Sequence, residues 1–206
     1  MSQPIPLLLA VEDVLQEVIL RRILAAVGPS FAPGACYKQG GYGYLKKKIS
    51  GFNVAAKGTP FLVLTDLDLD KGPCASALID DWLRVPRHPN LIFRVAVRSV
   101  ESWILADRSA FAGYLGLDAG LLPENLDEVE RPRSLLIDLA RRSRRRQLRE
   151  ALVPKAGSTA GFGPGYNGAL TLFLDTEWRM EEARQGSPSL ERSVRALERF
   201  KPASSS

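Results

Sequence analysis

The stretch PFLVLTDLDLDKG, from Pro60 to Gly72, runs from an apolar segment straight into three aspartates at alternate positions, Asp66, Asp68 and Asp70. Phe61 to Thr65 is apolar on both sides of its alternation, as in strands of a parallel sheet covered on both faces. Three like charges at the end of such a strand are costly unless something pairs them. In continued strand geometry all three would point to one side, with Leu67 and Leu69 on the other. A bend after Asp68 is the expected course, so that Asp66 and Asp68 form the pair and Asp70 is peripheral.

Working outward, Ile5 to Val11 reads as a second buried strand, followed by a helix over Asp13 to Val27 that Gly28-Pro29 stops. A short strand is expected near Ala35–Lys38 and a helix over Tyr44–Ala56. A helix over Ala75–Leu83 and a strand over Leu91–Val97 come next, and a further helix begins after Ser99. Strands alternating with helices give an α/β fold with a mainly parallel, Rossmann-like sheet and helices on both faces. Past Gly116 the strand signal ends, and helices are expected over Arg133–Leu152, Tyr166–Ala183 and Leu190–Phe200. The domain expectation is therefore an α/β core over 1–116, a helical C-terminal part over 117–200, and a flexible tail over 201–206.

Composition narrows the chemistry. Of 206 residues, 45% are hydrophobic and 25% charged, with a formal net charge of +5 that permits a polyanionic partner. Two cysteines, Cys36 and Cys74, and one histidine, His88, leave little for a disulfide framework, a zinc site or histidine catalysis. Any chemistry falls to carboxylates. The N-terminal MSQPIP has no basic n-region and no apolar run approaches a membrane span, so a cytoplasmic location without membrane association is expected.

In open α/β sheets ligands bind beyond the carboxyl ends of the strands. Glu12 ends the first strand, Asp66 and Asp68 end a central one, and Glu101 follows the strand Leu91–Val97. A hard divalent cation would offset the repulsion among these oxygens. Each residue also has a plainer explanation. Glu12 could favour a helix N-terminus through the dipole. Asp70 could form a turn or a cap. Glu101 could be a helix-end charge behind the N-cap Ser99. Asp107 reads as structural or capping.

These residues resemble the Toprim domain of topoisomerases, primases, recombination proteins and the overcoming-lysogenization-defect (OLD) nucleases. LLLAVEDVLQEVILRRIL (Leu7–Leu24) is similar to the glutamate motif, although Asp13 stands where many members have Gly, and FLVLTDLDLD to the Asp-x-Asp motif. VAVRSVESWILAD (Val95–Asp107), VPKAGSTAGFGPGYNGAL and SPSLERSVRAL are similar to segments of small stand-alone bacterial Toprim-like proteins. The resemblance implies a magnesium- or manganese-dependent enzyme acting on the phosphodiesters of DNA or RNA. It makes Glu12 a general acid or base or a metal ligand, and has Asp66 and Asp68 hold the metal. With Glu101 as an added ligand, the site could take two ions. The chain is too short for a topoisomerase's tyrosine domain, so hydrolysis is the economical reading. Relatives in the nuclease branch often serve in phage defence, some with a partner ATPase, and a homo-oligomer is compatible.

The basic run RRSRRRQLR (Arg141–Arg149) could contact a phosphate backbone through Arg141, Arg142, Arg144, Arg145 and Arg146, or be a solvated helix face. Arg98 could hold a phosphate or pair with a carboxylate. Lys155 heads the glycine-rich VPKAGSTAGFGPGYNGAL, which could cradle phosphate or be a plain loop, and is not a Walker A sequence. Tyr42 and Tyr44 could stack on bases, with core packing the favoured reading. Two rivals stand beside the nuclease. A haloacid-dehalogenase-type phosphatase would use Asp66 as nucleophile but leaves Glu12 unexplained. A non-catalytic nucleic-acid-binding or regulatory protein would bind without turnover.

Overall fold

The computed structural model describes residues 3–28, 30–68 and 74–203. Four strands, β1 (Ile5–Ala10), β2 (Phe31–Tyr37), β3 (Phe61–Leu67) and β4 (Leu91–Val97), form one sheet in the order β2-β1-β3-β4. Every pairing is parallel. Helices α1 (Val14–Ala26), α2 (Gly41–Ala55) and α3 (Ala75–Trp82) make the three crossovers. The α/β expectation with a parallel sheet and helices on both faces is met.

The alternation of β3 sorts the two faces. Phe61, Val63 and Leu67, with Phe93 and Val95 of β4, pack with Leu45, Ile49 and Phe52 of α2 and Leu78 and Trp82 of α3. The intervening Asp66 is hydrogen-bonded by Gln16 of α1, which puts α1 on the opposite face. That arrangement follows from topology: β2 and β3 lie on either side of β1, and right-handed crossovers then leave by opposite faces. The last helix, α10 (Pro188–Glu198), shares the face of α1. Its Ser189 hydroxyl accepts from Val97 N at 3.2 Å and its Ser193 hydroxyl from Arg94 Nε at 3.2 Å.

The strand expected near Ala35–Lys38 begins four residues earlier, at Phe31, because its parallel register with β1 starts at Ile5↔Phe31. Tyr42 meets Trp82 edge-on at 5.0 Å and Tyr44 meets Phe52 at 6.5 Å, so both tyrosines pack on the core. Gly40 and Gly41 turn into α2 with φ of 82° and 60°, the left-handed region open to glycine.

The chain divides into two compact units, Met1–Val97 with Ser189–Ser206, and Arg98–Pro188. Helices α4 (Val100–Ala106) and α5 (Arg108–Leu115), expected within the α/β core over 1–116, belong to the second unit. Most of α10, assigned to the helical part, belongs to the first. The second unit continues with 3-10 turns at Ala119–Leu121 and Leu126–Glu128 and helices α6 (Pro132–Arg141), α7 (Arg146–Leu152), α8 (Tyr166–Thr176) and α9 (Met180–Gly186).

Two helices expected as continuous are broken, each by a polar contact. Between α6 and α7 the Ser143 hydroxyl donates to Leu115 O at 2.7 Å, and Arg144 N reaches the same carbonyl at 3.2 Å. Between α8 and α9 the indole of Trp178 donates to Trp103 O at 3.1 Å, and Arg179 N donates to Asp107 at 2.9 Å. Among the described residues no helix is long and apolar enough to cross a membrane.

Candidate acidic site at the strand ends

The sheet order reverses at β1, so the crevice between the carboxyl ends of β1 and β3 is the topological switch point where such folds take ligands. Glu12 lies just past β1 and Asp66 lies within the end of β3. The Glu12 carboxylate crosses to β3: its Oε1 accepts from Asp66 N at 2.9 Å and from the Thr65 hydroxyl. Asp66 is 7% exposed and its Oδ1 accepts from Gln16 Nε2 at 2.9 Å. Gln16 is fully buried, and its Oε1 in turn accepts from Glu12 N at 2.8 Å. The two carboxylates are thus fixed, at least in part, by a hydroxyl, a backbone N–H and one carboxamide whose two ends serve both residues.

This geometry removes the plainer explanations for two of the acids. The cap of α1 is Asp13, whose carboxylate accepts from Gln16 N at 2.9 Å, so Glu12 is not needed there. Asp66 is a strand residue in register with Ala96, neither a turn former nor a cap. Asp68 follows the strand and is exposed. Asp70 lies outside the described residues. Among the described residues no group of three or more His, Cys, Asp and Glu gathers as a metal site, so Glu12 and Asp66 stand as a pair of hard oxygen donors. Two carboxylates are what a magnesium site commonly contributes when substrate phosphates complete the shell.

Gln16 and Thr65 were not singled out in the sequence. Gln16 stands one turn past Glu12, in the first turn of α1, which was the available signal.

Glu101 belongs to the second unit, where it is 1% exposed in the first turn of α4. Its Oε1 accepts from Arg133 Nε at 2.7 Å and from the Tyr166 hydroxyl at 3.0 Å. Its Oε2 is buried without a hydrogen-bond partner. Burial, with the Glu101 charge adding to it, holds the Tyr166 hydroxyl protonated far above the usual phenol range. Arg133 also lies over the Phe162 ring at 5.9 Å. Ser99 makes no cap bond to the helix, and its hydroxyl oxygen is buried without a partner. Arg98 has a φ of 66°, a strained value for a residue with a Cβ, and its Nε is likewise buried and unpartnered. Asp107 is structural, as expected: it caps α5 through Ala110 N at 3.2 Å and takes a two-point contact from Arg179 at 3.0 and 3.2 Å.

The basic run is partly neutralised where it stands. Arg141 pairs with Asp138, Arg146 pairs with Glu150 at 2.7 Å, and Arg145 donates to Gly113 O at 3.2 Å. Arg142 and Arg144 are exposed. Arg141, Arg149 and Lys155 line one shallow depression of about 400 Å³ with Glu150, Val153 and Pro154. The glycine-rich loop has a packing reason. A Cβ at Gly163 would sit 2.3 Å from Ala151 O, and one at Gly165 would sit 2.9 Å from Ala151 Cβ. The N–H groups of these glycines donate to Leu152 O and Ala151 O at 2.8 and 3.0 Å, so neither points to a phosphate.

The chain matches no family model, no curated protein and no solved structure.

Proposed function

We propose that the protein is a metal-dependent nuclease of Toprim type, hydrolysing the phosphodiester bonds of DNA or RNA in the cytoplasm, with phage defence as its setting. The observation that carries the reading is the joining of Glu12 and Asp66 at the β1–β3 switch point, through Asp66 N, Thr65 and Gln16. An acid pair fixed by this many bonds is pre-set rather than assembled on binding, as a site acting on a charged substrate requires.

Magnesium or manganese fits the donor set, since Glu12 and Asp66 offer hard oxygens and the exposed Asp68 a third nearby along the chain. Such an ion would stabilise charge developing on the phosphoryl oxygens and lower the pKa of a bound water. Glu12 and Asp66 would hold it, with Asp68 as the outer ligand. Glu101 keeps its place as a candidate ligand on separate grounds, since a buried carboxylate oxygen without a donor suits a cation. Thr65 and Gln16 orient the two central carboxylates. Exposed Arg142, Arg144 and Lys155 would add sequence-independent attraction for the backbone.

The test is cleavage of single- and double-stranded DNA and RNA by the pure protein with magnesium or manganese. Metal-dependent cleavage that Glu12→Ala and Asp66→Ala both abolish is expected. Cleavage unchanged in these variants would sink the site assignment. A phosphoenzyme trapped on Asp66 with a small phosphomonoester would transfer the reading to a phosphatase, and tight binding without turnover to a regulatory protein.

A further inference from the structure

The depression at the end of α7 collects cations from three places in the helical unit. Arg141 closes α6, Arg149 stands on α7, and Lys155 lies just past that helix. Glu150, Val153 and Pro154 complete the lining of a volume of about 400 Å³, within the range of small-molecule sites. How each charge is spent decides what the concavity offers. Arg141 meets Asp138, which is no part of the lining. Arg149 gives one N–H to the backbone carbonyl of Ser143, a neutral acceptor that positions the guanidinium without cancelling its charge. Among the described residues Arg149 meets no carboxylate, and Lys155 takes part in no ion pair. The acid in the lining, Glu150, is held at 2.7 Å by Arg146, a residue outside the lining. The cations therefore outnumber the acid, and the acid is already matched.

Arg141 and Arg149 stand in the last turns of their helices, where a cation also meets the helix dipole. Lys155 lies beyond α7, and no such reason applies to it. The backbone beneath these side chains is fixed. Val153 N donates to Arg149 O at 3.0 Å, and the returning loop fastens the same end of α7 through Gly163 N to Leu152 O at 2.8 Å and Gly165 N to Ala151 O at 3.0 Å. Ser143, which receives Arg149, is buried and tied to Leu115 O at 2.7 Å. A concavity set before a ligand arrives loses little freedom on binding. Val153 and Pro154 make one side of it apolar.

We propose that this depression is a nucleotide subsite, with the phosphate held by Arg141, Arg149 and Lys155 and the sugar or base laid on Val153 and Pro154. The planar fork of an arginine matches two oxygens of one phosphate, and the lysine adds a point charge. The nucleotide is a free one or a unit of a nucleic-acid strand, and the chemistry recognised is the same. The subsite does not depend on hydrolysis at Glu12 and Asp66.

The experiment is calorimetric titration of the full chain with adenosine monophosphate, with inorganic phosphate and with a single-stranded 12-nucleotide oligomer. The titrations are run without divalent metal, so their outcome is independent of cleavage. The wild type is expected to bind the monophosphate, and more tightly than inorganic phosphate. Arg141→Ala/Lys155→Ala, at two exposed positions, should weaken that binding tenfold or more at an unchanged melting temperature. Glu150→Gln should tighten it, whereas Arg146→Ala, which frees Glu150 from outside the lining, should weaken it. Opposite effects of this kind do not arise from a loss of folding. Arg195→Ala, on α10, removes an equal charge and should leave binding unchanged. Displacement of the monophosphate by the oligomer identifies a nucleic-acid strand as the source, and a monophosphate that the oligomer does not displace identifies a free nucleotide. No binding of the monophosphate by the wild type, binding no tighter than that of inorganic phosphate, or equal binding by Arg141→Ala/Lys155→Ala overturns the subsite.

Discussion

The two units hold their acids differently. In the α/β unit Glu12 and Asp66 receive bonds from a hydroxyl, a backbone N–H and a carboxamide. In the helical unit Glu101 and Asp107 each receive a guanidinium, from Arg133 and Arg179. An arginine neutralises the charge it meets, whereas a neutral donor orients a carboxylate without cancelling its charge. The bonds to Glu12 and Asp66 orient carboxylates at the strand ends; the guanidinium contacts of Glu101 and Asp107 are ties within the helical unit. Glu101 combines the two, with one oxygen tied and the other buried without a donor.

The sharpest way to break this contrast is to remove one acid from each unit. Asp66→Ala should lower metal-dependent cleavage by about a thousandfold, some 4 kcal/mol of transition-state stabilisation, with a modest change in melting temperature. Asp107→Ala should do the opposite: cleavage per folded molecule is retained, while stability falls by about 1–2 kcal/mol through the lost cap, since the Arg179 left behind is solvent-exposed. Denaturant melts and initial rates on both variants check this. Equal effects on both readouts in both variants would remove the distinction.

Gln16→Leu probes the neutral tether directly. It strips a donor from Asp66 and an acceptor from Glu12 N, for about 1–3 kcal/mol of stability. Because the Asp66 carboxylate loses the donor that orients it, the concentration of metal giving half-maximal cleavage should rise, which a purely structural loss would leave in place.

A smaller effect concerns Glu17, whose carboxyl is held below its ordinary 4.5 by Lys38, then by Arg21, against the opposing effect of burial. A depressed pKa stabilises the fold above the unfolded value, and that contribution is lost as pH falls through the folded one. Stability of the wild type should therefore decline below about pH 4.5 more steeply than that of Glu17→Gln, by less than about 1 kcal/mol in all. Smallest in energy is a contrast of thiols. Burial pushes Cys36 up to about 11, whereas the Ser76 hydroxyl lowers the exposed Cys74. Titration with a disulfide reagent at pH 8 should modify Cys74 first and the half-buried Cys36 more slowly.

Much of the α/β unit was legible because its strands are short apolar runs bounded by breakers, and Leu91–Val97 was read to the residue. The helical unit was less so. Periodicity joined α6 to α7 and α8 to α9, since nothing local announces that Ser143 will reach Leu115 or that Arg179 will reach Asp107. The candidate acids Glu12 and Asp66 were visible as strand-end charges. Their tether was not, because a buried glutamine is indistinguishable in sequence from an exposed one.

The sequence by itself determined the alternation of strands and helices and the placing of carboxylates at strand ends, since each is a matter of residue type and short spacing. Only the tertiary structure decided that Glu12 reaches across to β3 while Asp13 caps the helix. It alone divided the chain at Val97 and gave Arg94 the Ser193 hydroxyl as its partner. The reach of Glu12 to Asp66 depends on groups that meet across 54 residues of chain, which no local spacing announces.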